Sequence, residues 1–220
     1  MNQQKVWDKI APFWNKYKVE RGIKNTSLID EFIEEKDNNI LDLGCGSGRN
    51  FIKIKGFKGT IYGVDFSEQM LKFAKKNSEK IGINVKLTKA NVWDIPFKDN
   101  FFDKVIFMAT LHCIKGKQKR IKTLKEIYRV LKQKGRMLIT IWNKKSKRWK
   151  NKGKEITARW TVENVDEDVN TNSLDAEKVE RYYYLYDYDE LKQELENIGF
   201  KIIKHNFVES ARNIILIAEK

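Results

Sequence analysis

With 220 residues, 41% of them apolar and 12% aromatic, the chain can bury one sizeable core, and it holds no apolar run near the roughly 20 residues that span a bilayer. The opening MNQQKVWDKIAPFW lacks the unbroken apolar stretch of a secretion signal, and Cys45 and Cys113 are too few for a disulfide framework, so the expectation is a cytoplasmic protein with reduced thiols. A formal charge of +14 and a pI near 9.6 suit a polyanionic partner, although 35 of the 44 basic residues are Lys, which equally fits a compositional bias or a heat-adapted surface.

In chain order, β-type runs at 39–44 (NILDLG), 59–65 (GTIYGVD), 84–90 (NVKLTKA), 102–109 (FDKVIFMA) and 136–142 (RMLITIW) alternate with helical patterns. One helix follows Ser67 as N-cap and carries Met70, Leu71, Phe73 and Ala74 at helical spacing. Another runs through Ile121, Leu124, Ile127, Tyr128 and Leu131 and is expected to end at Gly135 as a C-cap. Such alternation predicts a parallel sheet with helices on both faces. Residues 144–180 read as irregular and polar. Within them KKSKRWKNKGK, Lys144 to Lys154, gathers seven cations around Trp149, which either stacks on a base or anchors a solvated loop. A last helix, YDELKQELENIGF, precedes KIIKHNFVE and NIILIAEK, two strands so close in sequence that they must pair antiparallel. The expectation is one domain over 1–220, with a basic insertion on the substrate side at about 144–180.

The stretch ILDLGCGSGRN sets Gly44, Gly46 and Gly48 behind the first strand, where a turn without side chains lets the backbone approach a ligand and the helix expected next offers its N-terminal amides to a negative group. A dinucleotide fingerprint needs glycine at positions one, three and six, but the sixth position counted from Gly44 is Arg49. No Lys followed by Ser or Thr succeeds the loop, so it is not a triphosphate P-loop. Asp65 ends the second strand 21 residues after Gly44, where an acid can accept from both ribose hydroxyls or merely cap the following helix.

These features, with ANVWDIPFKDNFFD after the third strand and the later RVLKQKG, resemble class I S-adenosylmethionine-dependent methyltransferases over roughly residues 39–143. The resemblance implies a Rossmann-like α/β fold, a seven-stranded mostly parallel sheet ending in a C-terminal antiparallel hairpin, and S-adenosylmethionine as cofactor. It also implies cofactor contacts from Asp42, Gly44, Cys45, Gly46, Gly48, Asp65, Phe66, Asn91, Val92 and Ala109. Asn91 stands where the family more often has an acid, but its carbonyl oxygen is also an acceptor for the adenine amine.

After the fourth strand comes ATLHC, Ala109 to Cys113. The Asn/Asp/Ser-Pro-Pro-aromatic motif of exocyclic-amine methylation is absent. Cys113 has no Pro before it and Cys45 lies inside the cofactor loop, so both read as packing residues rather than nucleophiles for carbon-5 methylation. His112 is open between a general base, an orienting donor and a ring that fills the pocket wall. Further on, Trp142-Asn143, Trp160 and Arg181-Tyr182-Tyr183-Tyr184-Leu185, with Ile10-Ala11-Pro12 near the start, resemble the family that converts 5-carboxymethyluridine at the tRNA wobble position to its methyl ester. Two departures stand out: Ala158-Arg159-Trp160 replaces a Val-Pro-Trp, and NKYKVERG replaces a Thr-Arg-Tyr segment.

A carboxylate with pKa near 4 is already ionised at neutral pH, so its esterification needs alignment and exclusion of water rather than a base. Under this resemblance Arg181, Tyr183 and Arg159 position the acceptor, with Lys16 or Lys18 contributing, and His112 lies at the reaction centre; Tyr184 and Tyr186 equally suit a packing strip. No resident metal is expected. The implied partners are the tRNA anticodon stem-loop and a small zinc-containing activator subunit, for which the edge strand at 84–90 offers an open rim that Lys86 and Lys89 either serve or protect. The phrases in 91–136 are shared with quinone- and sterol-type small-molecule methyltransferases, which form the alternative, and a non-catalytic RNA-binding or regulatory subunit is a third reading.

Overall fold

The computed structural model describes residues 2–16, 19, 27–160, 179–205 and 211–220, with the side chains of 27, 159 and 160 outside that description. Two helices, α1 (Gln3–Asn15) and α2 (Ser27–Phe32), precede β1 (Asn39–Leu43). Then follow β2 (Thr60–Asp65), α3 (Glu68–Lys80), β3 (Val85–Lys89), β4 (Phe102–Met108), α4 (Lys117–Val130) and β5 (Leu131–Trp142). The chain continues through β6 (Glu155–Trp160), β7 (Val179–Tyr184), α5 (Tyr188–Ile198), β8 (Lys201–His205) and β9 (Asn213–Glu219). Seven strands form one sheet in the order β3-β2-β1-β4-β5-β9-β8. The first five pair in parallel, whereas β9 is antiparallel to both β5 and β8, giving the expected terminal hairpin.

Because both faces are covered, the central strands carry apolar residues in succession, which alternate between two cores. Leu41, Val105, Phe107 and Ile139 point to the side where Leu124 and Ile127 of α4 and Leu191 and Leu195 of α5 pack. Ile40, Ile61, Ile106 and Leu138 point to the other, against Ile29 and Phe32 of α2 and Ile54. Helix α3 starts where the Ser67 hydroxyl accepts the Met70 amide at 3.1 Å, as its sequence predicts. Helix α1 lies across α3 and β7 through Val6, Ile10 and Ala11, which meet Met70 and Val179. Among the described residues, no helix is long and apolar enough to cross a membrane.

Three local expectations are corrected. Gly135 does not cap α4: the helix stops at Val130 because the amides of Asn100 and Phe101 take the carbonyls of Arg129 and Val130 at 3.0 and 2.8 Å. The chain enters β5 at Leu131, and Lys134 adopts the left-handed conformation with φ 62°. The glycine turn leads into a 3-10 turn, Arg49–Ile54, rather than an α-helix. Finally, the stretch read as irregular contains β6, which pairs antiparallel with β7 in a separate two-stranded ribbon from Glu155↔Tyr184 to Trp160↔Val179. The remainder of the expected insertion, 161–178, lies outside the described residues.

Candidate active site

Strand order reverses between β1 and β4, so the loops at their carboxyl ends diverge and leave a crevice there. It is a cavity of about 410 Å³, a size suited to a small ligand. The glycine turn forms one wall. The amides of Gly44 and Cys45 both donate to the Val64 carbonyl, at 2.8 and 3.0 Å, which ties the turn to β2. Gly44 has φ 70°, and a Cβ on it would come within 2.5 Å of the Thr110 side chain at the end of β4. Gly46 has φ 55° but open space beside it, with Trp14 Nε1 nearest at 3.9 Å, so its bare backbone faces the cavity. Gly48 serves packing instead, since a Cβ there would strike the Phe51 ring.

Asp65 lines the same wall. One of its carboxylate oxygens accepts the Gly46 amide and the other the Ser67 amide, both at 2.9 Å. Burial pushes its pKa up to about 6, against the pull of those amides and that of Phe66. Each oxygen keeps a second lone pair for a hydroxyl of a bound ribose. Phe66, Asn91 and Val92 continue the lining, together with Cys45 and Met70. Ala109 closes the floor in the left-handed region at φ 54°, a conformation costing about 1–2 kcal/mol, held by its amide donating to the Thr140 carbonyl and hydroxyl at 2.9 and 3.1 Å. Asp42 does not reach the cavity. It is fully buried behind the turn, accepts Asn50 Nδ2 at 3.1 and 3.3 Å, and burial pushes it up to about 7.

Of the residues assigned to the acceptor, His112, Arg181 and Tyr183 come together where β7 meets α1. His112 is 1% exposed and does not line the cavity; its ring stacks on Trp142 with centroids 4.9 Å apart. Trp142 in turn stacks on Trp149 at 5.1 Å and packs against Tyr183 at 4.2 Å. Burial, and secondarily the Arg181 charge, lower the His112 pKa to about 3, so the ring is neutral near pH 7. Burial raises the Cys113 thiol to about 12 and also holds the Cys45 thiol well above its ordinary value, which leaves neither as a nucleophile. The Arg181 guanidinium lies 5.8 Å from the ring centres of both Trp7 and Trp14 and 5.3 Å from that of Tyr183. Both tryptophans line the cavity, so Arg181 stands directly behind an aromatic wall.

Tyr184 and Tyr186 are packing residues. Arg120 stacks 3.7 Å over Tyr184 and donates to the Tyr186 hydroxyl at 3.1 Å, and the Tyr186 hydroxyl donates to Glu194 at 3.2 Å. Arg159 is opposite Glu180 in the ribbon, with its side chain outside the described residues. Lys18 also lies outside them, whereas Lys16 closes α1 through its backbone amide. Trp149 is 7% exposed beneath Arg148, so it anchors the basic loop and presents no open face to a base. Sequence reasoning missed Trp7 and Trp14, whose seven-residue spacing on an amphipathic helix was a usable signal, and Arg49, Asn50, Lys115 and Lys119, which reach the lining only through the fold. Among the described residues, no group of three or more His, Cys, Asp or Glu side chains is placed to hold a metal.

An open glycine backbone, a diol-accepting acid and an apolar pocket fit a nucleoside bearing an amino-acid tail. Comparison with known proteins agrees. The profile of the family described as "Methyltransferase domain" matches residues 34–199. The Methanocaldococcus jannaschii protein MJ1252 is 31% identical over 211 residues, which cover 92% of this chain and 78% of that one. "Probable tRNA methyltransferase 9B" of Bos taurus is 25% identical over 157 residues, 70% of this chain but only 32% of that longer protein. Ubiquinone/menaquinone biosynthesis C-methyltransferase UbiE of Escherichia fergusonii is 29% identical over 182 residues, 77% of this chain and 69% of that one. A solved SAM-dependent methyltransferase from Methanosarcina mazei superposes on 90% of this chain and 99% of its own with a TM-score of 0.72 at 19% identity, which shows the shared fold. The chain belongs to the methyltransferase-domain family, and S-adenosylmethionine is its cofactor.

Proposed function

We propose that the chain methylates a carboxylate on a tRNA wobble uridine, forming the methyl ester of a 5-carboxymethyl-type uridine. The observation that carries this reading is the acceptor side of the cavity, where the Arg181 cation stands among Trp7, Trp14 and Tyr183 while His112 and Cys113 sit far from titrating near pH 7. Bound S-adenosylmethionine supplies an electrophilic methyl group on a positively charged sulfur. The chain's own residues bind, orient and exclude water. Arg181, behind the Trp7–Trp14 wall, draws the acceptor carboxylate to that side through its charge, the two tryptophans keep water away, and no proton has to be removed. His112 then shapes the wall as a neutral ring.

Several features support tRNA as the partner: the net charge of +14, the exposed Lys147, Lys150 and Lys152 of the loop, and the name of the bovine relative. Lys154 is already held by Asp187 and Glu190, at 3.2 and 2.8 Å, and belongs to the scaffold. For a zinc-containing activator, the supporting feature is the edge position of β3, which among the described residues pairs only with β2. Lys89 there is paired with Glu68 at 3.1 Å and Lys86 lies 5.3 Å from the Tyr62 ring centre, so both side chains already have partners in their own chain.

The test is to incubate the chain, with and without a candidate activator, with labelled S-adenosylmethionine and native tRNA, then identify the labelled nucleoside by mass. A base-labile ester on a 5-substituted uridine is the expected product. Arg181→Ala should lower turnover about 10²-fold while cofactor affinity stays within about twofold; weakened cofactor binding with normal turnover would refute the role. The UbiE likeness and the aromatic wall favour the second reading, a small apolar acceptor. Absence of transfer to any tRNA, with cofactor binding intact, would move the assignment there.

A further inference from the structure

We propose that Lys115 and Lys119 hold a backbone phosphate of the acceptor RNA at the mouth of the cavity, beside the nucleotide to be methylated; the inference rests on the RNA reading above. Both residues line the cavity away from the glycine turn, Lys115 just before α4 and Lys119 in its first turn. Both are exposed, and exposed residues in a cavity lining mark where it meets solvent. Neither ammonium makes a hydrogen bond or ion pair with a described residue. The first turn of α4 contains no acid, although a helix start favours negative side chains, so Lys115, Lys117 and Lys119 gather where the local chain offers them no partner.

The cofactor does not account for these cations. S-adenosylmethionine carries a sulfonium and an ammonium against one carboxylate, and positive side chains on the wall of its cavity oppose its entry. Asp65, the carboxylate in the lining, is engaged by the Gly46 and Ser67 amides. The two lysines are therefore complementary to an anion that the acceptor brings. Their surroundings fit a nucleotide. Lys119 Nζ lies 4.7 Å from the centre of the Trp93 ring, and Trp93 is half-buried, lines the cavity and packs against the main core. The indole thus keeps one cation in place and sets an aromatic surface at the same opening. Lys115 Nζ lies 6.0 Å from the centre of the Tyr182 ring, and the Tyr182 amide donates at 3.2 Å to Oε1 of Gln3, itself a lining residue, so Lys115 stands where α1 and β7 frame the mouth. Cations beside an aromatic ring suit the phosphates and bases of a single strand, whereas a small apolar acceptor gains nothing from unpaired lysines at its entrance.

Fluorescence anisotropy of a labelled oligouridine on the full chain, saturated with S-adenosylhomocysteine, tests the assignment. The double variant Lys115→Gln/Lys119→Gln should weaken RNA binding about tenfold or more and reduce the slope of log K against log salt by about 1.4. Lys122→Gln/Lys125→Gln removes the same charge from exposed positions of α4 that do not line the cavity, and should weaken binding less than about threefold. Melting temperatures within about 2 °C of the wild type are expected for both variants and certify their fold. An equal loss in the two variants would reduce the effect to net charge and overturn the assignment. Unchanged binding in the Lys115/Lys119 variant would overturn it while the tRNA reading stands, and a wild type that binds no RNA would overturn both.

Discussion

His112 follows the strand whose end floors the cavity yet lies buried beside Trp142 and Tyr183, with its Nδ1 unpartnered among the described residues. Its ordinary pKa of 6.5 falls to about 3 in the folded chain, so between these values the unfolded state binds more protons than the native one. Stability contributed by the neutral ring is therefore present above pH 6.5 and lost as pH falls toward 3. Because Asp42 and Asp65, with raised pKa values, gain stability over the same range, the readout is the difference between proteins: in thermal melts from pH 7 down to 4 the wild type should lose stability relative to His112→Phe, which keeps an aromatic ring, and parallel profiles would remove His112 from the account. At this scale the glycine-turn wall of the cavity was largely legible, because Gly44, Gly46 and Asp65 depend on spacing along one β-loop-β unit. The state of His112 was not, since its burial comes from residues 30 and 71 positions away, Trp142 and Tyr183.

Among the elements, the β6–β7 ribbon and the basic loop before it were the hardest to read. The aromatic run Arg181-Tyr182-Tyr183-Tyr184 suits either a strand or a packing strip, and the partner that decides for a strand, β6, follows directly on the lysine-rich loop. The loop's hold on the fold is Trp149, stacked on Trp142 and covered by Arg148. Trp149→Ala should lower unfolding free energy by about 3 kcal/mol in urea titrations, whereas Trp149→Phe should lose less than half of that. A near-neutral alanine variant would mean that the tryptophan is not the anchor. Helix α4 teaches the converse lesson: a glycine at the right distance is not a cap when the turn at Asn100–Phe101 has already taken the terminal carbonyls.

Over the whole molecule the excess of 14 positive charges is an average, and its effect depends on where the unpaired cations cluster. Reversing Lys147, Lys150 and Lys152 to Glu should weaken binding of every tRNA to a similar degree and reduce the slope of log K against log salt by about 2, measured between 50 and 200 mM salt. An unaltered slope would remove the loop from the RNA-binding surface. The alternating apolar runs determined the parallel sheet and the order of elements, and the glycine spacing and the acid at the second strand's end carried the family resemblance that implies the cofactor, because each is a regularity within a few tens of residues. The tertiary structure alone decided which aromatic residues are walls and which are core, which cations face the cavity, and which groups keep a charge. Those properties follow from desolvation and from neighbours that the chain brings together across its length, such as Trp7 with Arg181 and Gly44 with Thr110, and neither distance is written in local sequence.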